Sequence, residues 1–309
     1  MSGAPLLVTV VGPTGSGKSR LAMALAGSLQ GEIVNCDSLQ LYRQLSVGTG
    51  KPAPEELARV AHHLVGILDL SETYSAGQMQ KQGRAAIEAI AGRRRVPILV
   101  GGTGFYYRAI LAGLPPAPQS VPSLRRRLRK IEERRGEGFL FRMLRRVDPE
   151  SAARIMPRDA VRVVRALEVY FASGVRLSSL KPGDTWRSRF RWIGLGLSPD
   201  RPILYDRIDR RVAQMLQQGW REEVAGLLQG GADPGCKAFD AIGYREVAAH
   251  LQGELDCDAL LERIRQRTRN YAKRQGAWFR REQGISWLNG FGDDPNIERQ
   301  ALERIRSRA

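Results

Sequence analysis

Apolar residues in the first third of the chain fall in short unbroken runs, each closed by glycine or by polar residues. The first, LLVTVVG at 6–12, shows no alternation and predicts a strand buried on both faces. A helical stretch over 18–30 follows, and EIVNCDS at 32–38 predicts a second strand. HHLVGILDL at 62–70 is another apolar stretch, and a helix over 76–91 leads into VPILVGGTG at 96–104, whose start predicts a further buried strand. Strands separated by helices imply parallel crossovers, with helices on both faces of one sheet.

At GLPPAPQSVPS, 113–123, proline and serine end this pattern. Beyond it LRRRLRKIEERR, FLFRMLRRVDPESAARI and DAVRVVRALEVYFASG predict basic helices, and strand patterning returns only at FRWIGLGLS, 190–198. Amphipathic helices over 202–218, 220–229 and 257–280, a short strand ISWL at 285–288 and a charged terminal helix complete the chain. The expected organisation is an α/β core begun by residues 1–114, a helical basic insertion over 115–190, and a return to the core over 191–309. No internal repeat or low-complexity tract interrupts it.

Charge changes the picture. The 49 Lys and Arg exceed the 32 Asp and Glu, giving a formal +17, and most of the surplus is arginine. Such an excess points to a polyanion partner, against the plainer reading of solvated helix faces. The three cysteines, Cys36, Cys236 and Cys257, lie far apart, which argues against a disulfide framework and a zinc site of usual spacing. No apolar run approaches the ~18 residues of a membrane span, and the N-terminus leads into a core strand, so a soluble cytoplasmic protein is expected.

GPTGSGKS at 12–19 fits the phosphate-binding pattern G-x-x-x-x-G-K-[ST], with a buried strand before it and a helix after it. Backbone N–H groups of Gly12, Pro13's neighbours Thr14 and Gly15, Ser16 and Gly17 can turn inward around phosphate oxygens at a helix N-terminus. Lys18 can reach a terminal phosphate, and the Ser19 hydroxyl can ligate Mg2+. The expected core is therefore a P-loop NTPase-like parallel sheet. An NTPase normally carries a metal-binding Asp at the end of a second strand, but VPILVGGTG ends in glycines and Thr103. Asp37 ends the second predicted strand, where open α/β sheets bind ligands, and can act as a general base or simply cap a turn. On these residues alone two readings stand: a P-loop small-molecule or nucleotide kinase using ATP, and a basic RNA-binding module that senses nucleotide.

GPTGSGKS, IVNCDSLQLYRQLSVGTGKP, YSAGQ, VPILVGGTGFYYRAILAGL, DAVRVVRALEVY, AIGYRE and YAKRQGAWFR resemble, in order and spacing, the tRNA dimethylallyltransferases, also called tRNA isopentenyltransferases. The resemblance runs from about residue 5 to about 288 and leaves the last twenty or so residues without a signature. Departures are mild: Gly15 stands where Ala is usual, Leu39 where Met is frequent, and Gly50 where Ala is common.

The resemblance implies that the loop holds dimethylallyl diphosphate, not ATP. The prenyl group goes to N6 of the adenine on the 3′ side of the anticodon, and pyrophosphate leaves. It makes Asp37 the general base, and assigns charge stabilisation to Lys18, Thr103 and Mg2+ near Ser19, with Arg165 a diphosphate partner. It implies tRNA contacts at Asp37, Ser38, Leu39, Gln40 and Thr103, and at Arg125. Further contacts are implied at Val161, Arg162, Val163, Val164 and Arg165, and at Asp240, Ala241, Ile242, Gly243, Tyr244 and Arg245. The partner is the anticodon stem-loop of tRNA, with no membrane and a monomeric enzyme. An anticodon-loop adenine must be extruded before its N6 can meet a diphosphate in a sheet-top cleft, and such loops are usual targets of RNA readout. Arg126, Arg127, Arg129 and Lys130 would add backbone phosphate contacts. Tyr271, Trp278 and Phe279 have the spacing of core anchors, and His62–His63 reads as structural.

Overall fold

A computed structural model describes residues 3–181, 183 and 185–308. Six strands form one all-parallel sheet: β1 (Leu6–Val11), β2 (Gly31–Asn35), β3 (His62–His63), β4 (Val96–Val100), β5 (Arg191–Leu197) and β6 (Ile285–Leu288), in the order β3-β2-β4-β1-β5-β6. β1 lies at the centre, pairing Val8 with Ile98 of β4 and with Ile193 of β5. Its side chains alternate between the two faces, as the two-residue period of a strand requires. Val8 and Val10 join one apolar cluster, while Leu7 and Val11 join the other. Between them, buried Thr9 pairs its hydroxyl with that of Tyr107 at 3.3 Å and accepts the indole N–H of Trp192 at 3.2 Å.

The first face is covered by α1 (Lys18–Leu29) and the terminal helix, whose Leu21, Leu25, Ile297, Ala301 and Ile305 pack on Val8, Ile33, Ile98 and Leu195. After the short α2 (Pro54–Arg59), the second face is covered by α3 (Ala76–Gly92) and α4 (Gly104–Ala112). Further along the chain it receives α9 (Arg201–Met215), α10 (Arg221–Gln229), α11 (Tyr244–Leu251) and α12 (Cys257–Phe279), and α13 (Pro295–Arg306) is the terminal helix. Gly219, at φ 95°, breaks the helical path between α9 and α10 inside the π-helical turn Leu216–Trp220.

Residues 3–111 and 185–308 make up this α/β unit, and the described residues within 112–184 form a second, all-helical one. The latter contains α5 (Pro122–Arg135), α6 (Phe139–Val147), α7 (Pro149–Arg154) and α8 (Ala160–Ser173). Leu128, Leu140, Leu144, Val163 and Leu167 form its core. Buried among them, Glu168 accepts a guanidinium fork from Arg125 (2.9 and 3.0 Å), a bond from Arg165 (2.6 Å) and the Val121 N–H (2.7 Å). Burial pushes the Glu168 carboxyl up, but these donors outweigh it and hold the group below the usual carboxylate range.

Candidate active site

All six strands run parallel and release their chains at one edge of the sheet, where parallel α/β folds bind ligands. The segment after β1 curls into the loop 12–19 and opens α1 at Lys18. Lys18 donates to the carbonyl of Pro13 at 2.8 Å, closing the loop on itself. Gln275 of α12 ties this loop to the end of β4: its Oε1 accepts the Thr14 N–H at 2.7 Å, and its Nε2 donates to the Gly102 carbonyl at 2.9 Å. A Cβ on Gly102 would lie 1.9 Å from that nitrogen, so position 102 must be glycine for the tie to form.

Asp37 stands two residues beyond β2. Its Oδ1 accepts the Leu39 N–H at 2.9 Å, and Asn35 fixes its backbone from both sides (3.0 and 3.1 Å). The turn-capping role thus coexists, in one side chain, with a second oxygen that has no hydrogen-bond partner among the described residues. Thr103 braces the same segment: its Oγ1 accepts the Ser38 N–H at 3.1 Å and donates to the Ser38 hydroxyl at 3.3 Å. The Tyr271 hydroxyl lies beside Thr103 and Gln275, and burial pushes its pKa up. β2, β4 and α12 are therefore locked together by polar contacts around Asp37.

Lys18, Ser19, Asp37, Gln40, Arg207 and Arg211 share the walls of a cavity of about 340 Å³. A smaller one of about 80 Å³ adjoins it through Thr14, Asp37 and Arg211, and its other walls are mainly apolar: Leu39, Ile208, Val212, Met215, Trp220 and Ile242. Arg207 and Arg211 also wall a basic groove of about 990 Å³, with Arg20, Arg43, Lys51 and Arg210 on its other walls. Burial, opposed by the Asp37 charge and aided by Arg211, lowers the Lys18 pKa to about 8. Arg211 is itself pushed down by burial and then by Arg207. Among the described residues Arg211 has no hydrogen-bond or ion-pair partner. A cavity that gathers these cations and leaves one unpaired is built for a multiply charged anion.

Two family descriptions match the chain: IPP transferase over residues 40–282, and isopentenyl transferase over residues 6–66. The chain belongs to the IPP transferase family. The tRNA dimethylallyltransferase of Koribacter versatilis is 45% identical over 304 residues, covering 98% of this chain and 99% of its own. That of Solibacter usitatus is 45% identical over 301 residues, covering 97% of each. Among solved structures, the full-length tRNA isopentenylpyrophosphate transferase of Bacillus halodurans superposes with a TM-score of 0.71 at 33% identity, covering 98% of this chain and 97% of its own. A eukaryotic dimethylallyltransferase, captured in crystallographic snapshots of its action on tRNA, gives 0.82 at 28% identity, covering 99% and 80%.

In this IPP transferase the α/β unit brings Gly12–Ser19, Asp37–Gln40 and Thr103 together at the sheet edge. Gln40 spends its amide N–H groups on the carbonyls of Thr49 (3.4 Å) and Gly50 (3.0 Å). Within 240–245, Ile242 lines the apolar pocket, Asp240 pairs with Arg245 at 2.6 Å, and Ala241 and Tyr244 are buried. The Tyr244 hydroxyl donates to Glu223 at 2.6 Å, whose other oxygen receives the N–H groups of Ser46 and Val47. Arg125 and Val161–Arg165 belong to the helical unit. There Arg165 donates to Glu168 and, at 2.7 Å, to the Pro118 carbonyl, while Val161 is exposed and Val163 and Val164 are buried. Arg126, Arg127, Arg129 and Lys130 are exposed on α5.

Cavity-lining residues that the sequence did not single out include Arg207, Arg211, Trp220 and Gln275. Gln275 carried a usable signal, because it shares the buried stripe of α12 with Ala272 and Phe279. A polar side chain in such a stripe needs a partner at a fixed place. Tyr271 is a correction. Phe279 is a core anchor, fully buried with its ring edge-on to Tyr107, and Trp278 is half-buried beneath Arg108. Tyr271 instead lines the apolar pocket, with its hydroxyl near Thr103.

Proposed function

We propose that this chain transfers the dimethylallyl group of dimethylallyl diphosphate to N6 of the adenine 3′-adjacent to the anticodon in tRNA, releasing pyrophosphate. The observation that carries the reading is the apolar pocket beside Asp37, one side chain away from a phosphate cradle. A five-carbon chain needs such walls and a diphosphate needs the cations. A P-loop NTPase normally carries a metal-binding carboxylate at the end of such a strand, and β4 is followed by Gly101, Gly102 and Thr103 instead, which weighs against the kinase.

In this reading the diphosphate lies in the loop 12–19 under Lys18 and Arg211, with the prenyl tail against Ile208, Val212 and Met215. The N6 lone pair forms the bond to C1 as the C1–O bond breaks, and Asp37 takes the N6 proton. Negative charge then grows on the departing pyrophosphate. Lys18, Arg211 and the loop N–H groups are in place beforehand to receive it, which is where electrostatic catalysis is most effective. Thr103 acts through Ser38, holding the segment Asp37–Gln40 for the base. Arg165 acts on the diphosphate or through the brace it makes with Glu168.

Mg2+ fits the residues present. The Ser19 hydroxyl is exposed with no hydrogen-bond partner among the described residues, and Asp37 lines the same cavity. Among the described residues no cluster of three His, Cys, Asp or Glu forms a cage, so substrate oxygens would complete the coordination, as suits this ion. Mg2+ bound there would supply charge neutralisation to the diphosphate.

The RNA contacts are proposed for Ser38, Leu39, Gln40 and 240–245 on the α/β unit. On the helical unit they are proposed for Arg125 and 161–165, with the exposed arginines of α5 on backbone phosphates. Among the described residues no helix is long and apolar enough to cross a membrane. A monomer acting in the cytoplasm, with tRNA as partner, is the assignment that goes with this reading.

Two measurements bear on it. In thermal shift, dimethylallyl diphosphate or pyrophosphate with Mg2+ should stabilise the protein above any effect of ATP; stabilisation by ATP alone would favour the kinase. Diphosphate affinity should also weaken as pH rises through about 8, because unliganded Lys18 loses its proton there. The ligand to use is dimethylallyl diphosphate, whose terminal phosphate titrates near pH ~6 and so carries nearly constant charge over the range measured. Titration calorimetry from pH 7 to 9.5 checks it, and Lys18→Arg should flatten the profile.

A further inference from the structure

The chain beyond β6 folds back onto the phosphate loop. The Gly292 N–H donates to the Ser16 carbonyl at 2.8 Å. The two backbones touch so closely that a Cβ on Gly292 would lie 2.4 Å from the Gly17 oxygen, and one on Gly17, at φ 85°, would lie 2.8 Å from the Gly292 nitrogen. On either side of Gly292 the same segment grips one cation. Asp293 takes the guanidinium of Arg207 in a fork, Nη1 to Oδ1 at 2.8 Å and Nη2 to Oδ2 at 3.0 Å. Phe291 lies beneath it, with its ring centroid 4.8 Å from the guanidinium carbon.

The grip answers a specific problem. Arg207 and Arg211 are one helical turn apart on α9, so they share a face and line the same cavity. Like charges at that spacing repel, and Arg207 already pushes Arg211 down. Left to itself, a side chain one-third exposed would turn outward to water. The fork on Asp293 fixes its direction and supplies the opposite charge, while the guanidinium keeps N–H groups that the fork does not use.

We propose that Asp293 is a positioning residue for diphosphate binding: through Arg207 it allows two guanidiniums and Lys18 to face one anion, and so makes the segment after β6 part of the substrate site. The inference rests on the reading of the cavity as a diphosphate site, and it is testable without any transfer reaction.

Titration calorimetry of inorganic pyrophosphate with Mg2+ into the full chain reads it directly. Asp293→Asn should raise Kd about tenfold, with tRNA binding unchanged. Asp293→Glu should recover most of the affinity. Arg207→Lys, which keeps the charge and loses the fork, should match Asp293→Asn, and the double variant should be no worse than either. Should Asp293→Asn fail to fold, the Arg207→Lys comparison still decides. Wild-type affinity in Arg207→Lys, or additive losses in the double variant, would overturn the proposal. The outcome stands apart from the transfer reaction: weakened pyrophosphate binding in an enzyme that prenylates no tRNA would uphold the role of Asp293 and refute the proposed function.

Discussion

Asp37→Asn should lower turnover by about 10²–10⁴-fold, the usual contribution of a positioned general base, and leave tRNA affinity nearly intact. Asparagine is the informative substitution because Asp37 has two jobs. Its Oδ1 accepts the Leu39 N–H, and an amide oxygen can do the same, so the turn that presents Ser38, Leu39 and Gln40 survives. What disappears is the acceptor for the N6 proton. Single-turnover rates at saturating tRNA and prenyl diphosphate, with tRNA affinity from filter binding, separate the two jobs. Binding lost while turnover per bound complex is kept would make Asp37 an RNA contact or a structural cap.

Arg211→Gln should cut the transfer rate by about 10²–10³-fold, the range found when one preorganised donor to a developing anion is removed. The substitution is clean. Because Arg211 has no hydrogen-bond or ion-pair partner among the described residues, its removal leaves no buried acceptor unsatisfied; it gives up the attraction of Asp37 but relieves repulsion on Lys18 and Arg207. The melting temperature should hold or rise while the rate falls, an opposition expected of a residue kept for function. Rapid-quench measurement of the chemical step, beside a thermal melt, checks both halves. A rate close to that of the unsubstituted enzyme would place Arg211 at the mouth of the basic groove only.

The sheet was legible because its strands are buried on both faces and so appear as uninterrupted apolar runs. The stretch 62–70 shows the limit of that signal. Only His62 and His63 pair with β2; Leu64 then takes a left-handed turn at φ 62°, and the rest packs as a loop, with Leu68 bridging to Tyr42. An apolar run reports burial, and burial does not require a strand. In the candidate site, Asp37 and Thr103 could be named because each follows a strand within three residues, and Lys18 and Ser19 because they close the phosphate-loop motif where α1 begins. Arg207 and Arg211 could not. Arginines recur along α9, and nothing in the local sequence separates those beside the apolar stripe of Leu204, Ile208 and Val212 from solvated ones such as Arg210. Asp293 lies 86 residues from its partner in a segment with no motif. Contacts of that kind are made by topology, and only the folded chain displays them.

The central claim is that this cavity holds a prenyl diphosphate as leaving group and delivers its five-carbon chain to an RNA base. Incubating the purified protein with unmodified tRNA, Mg2+ and labelled dimethylallyl diphosphate, then digesting the tRNA to nucleosides for mass analysis, tests it most directly. The account predicts one labelled adenosine, heavier by a single dimethylallyl group, from the position 3′ to the anticodon, with pyrophosphate released in equal amount. Unlabelled tRNA from a folded enzyme that binds both substrates, or a phosphorylated product formed with ATP, would contradict it.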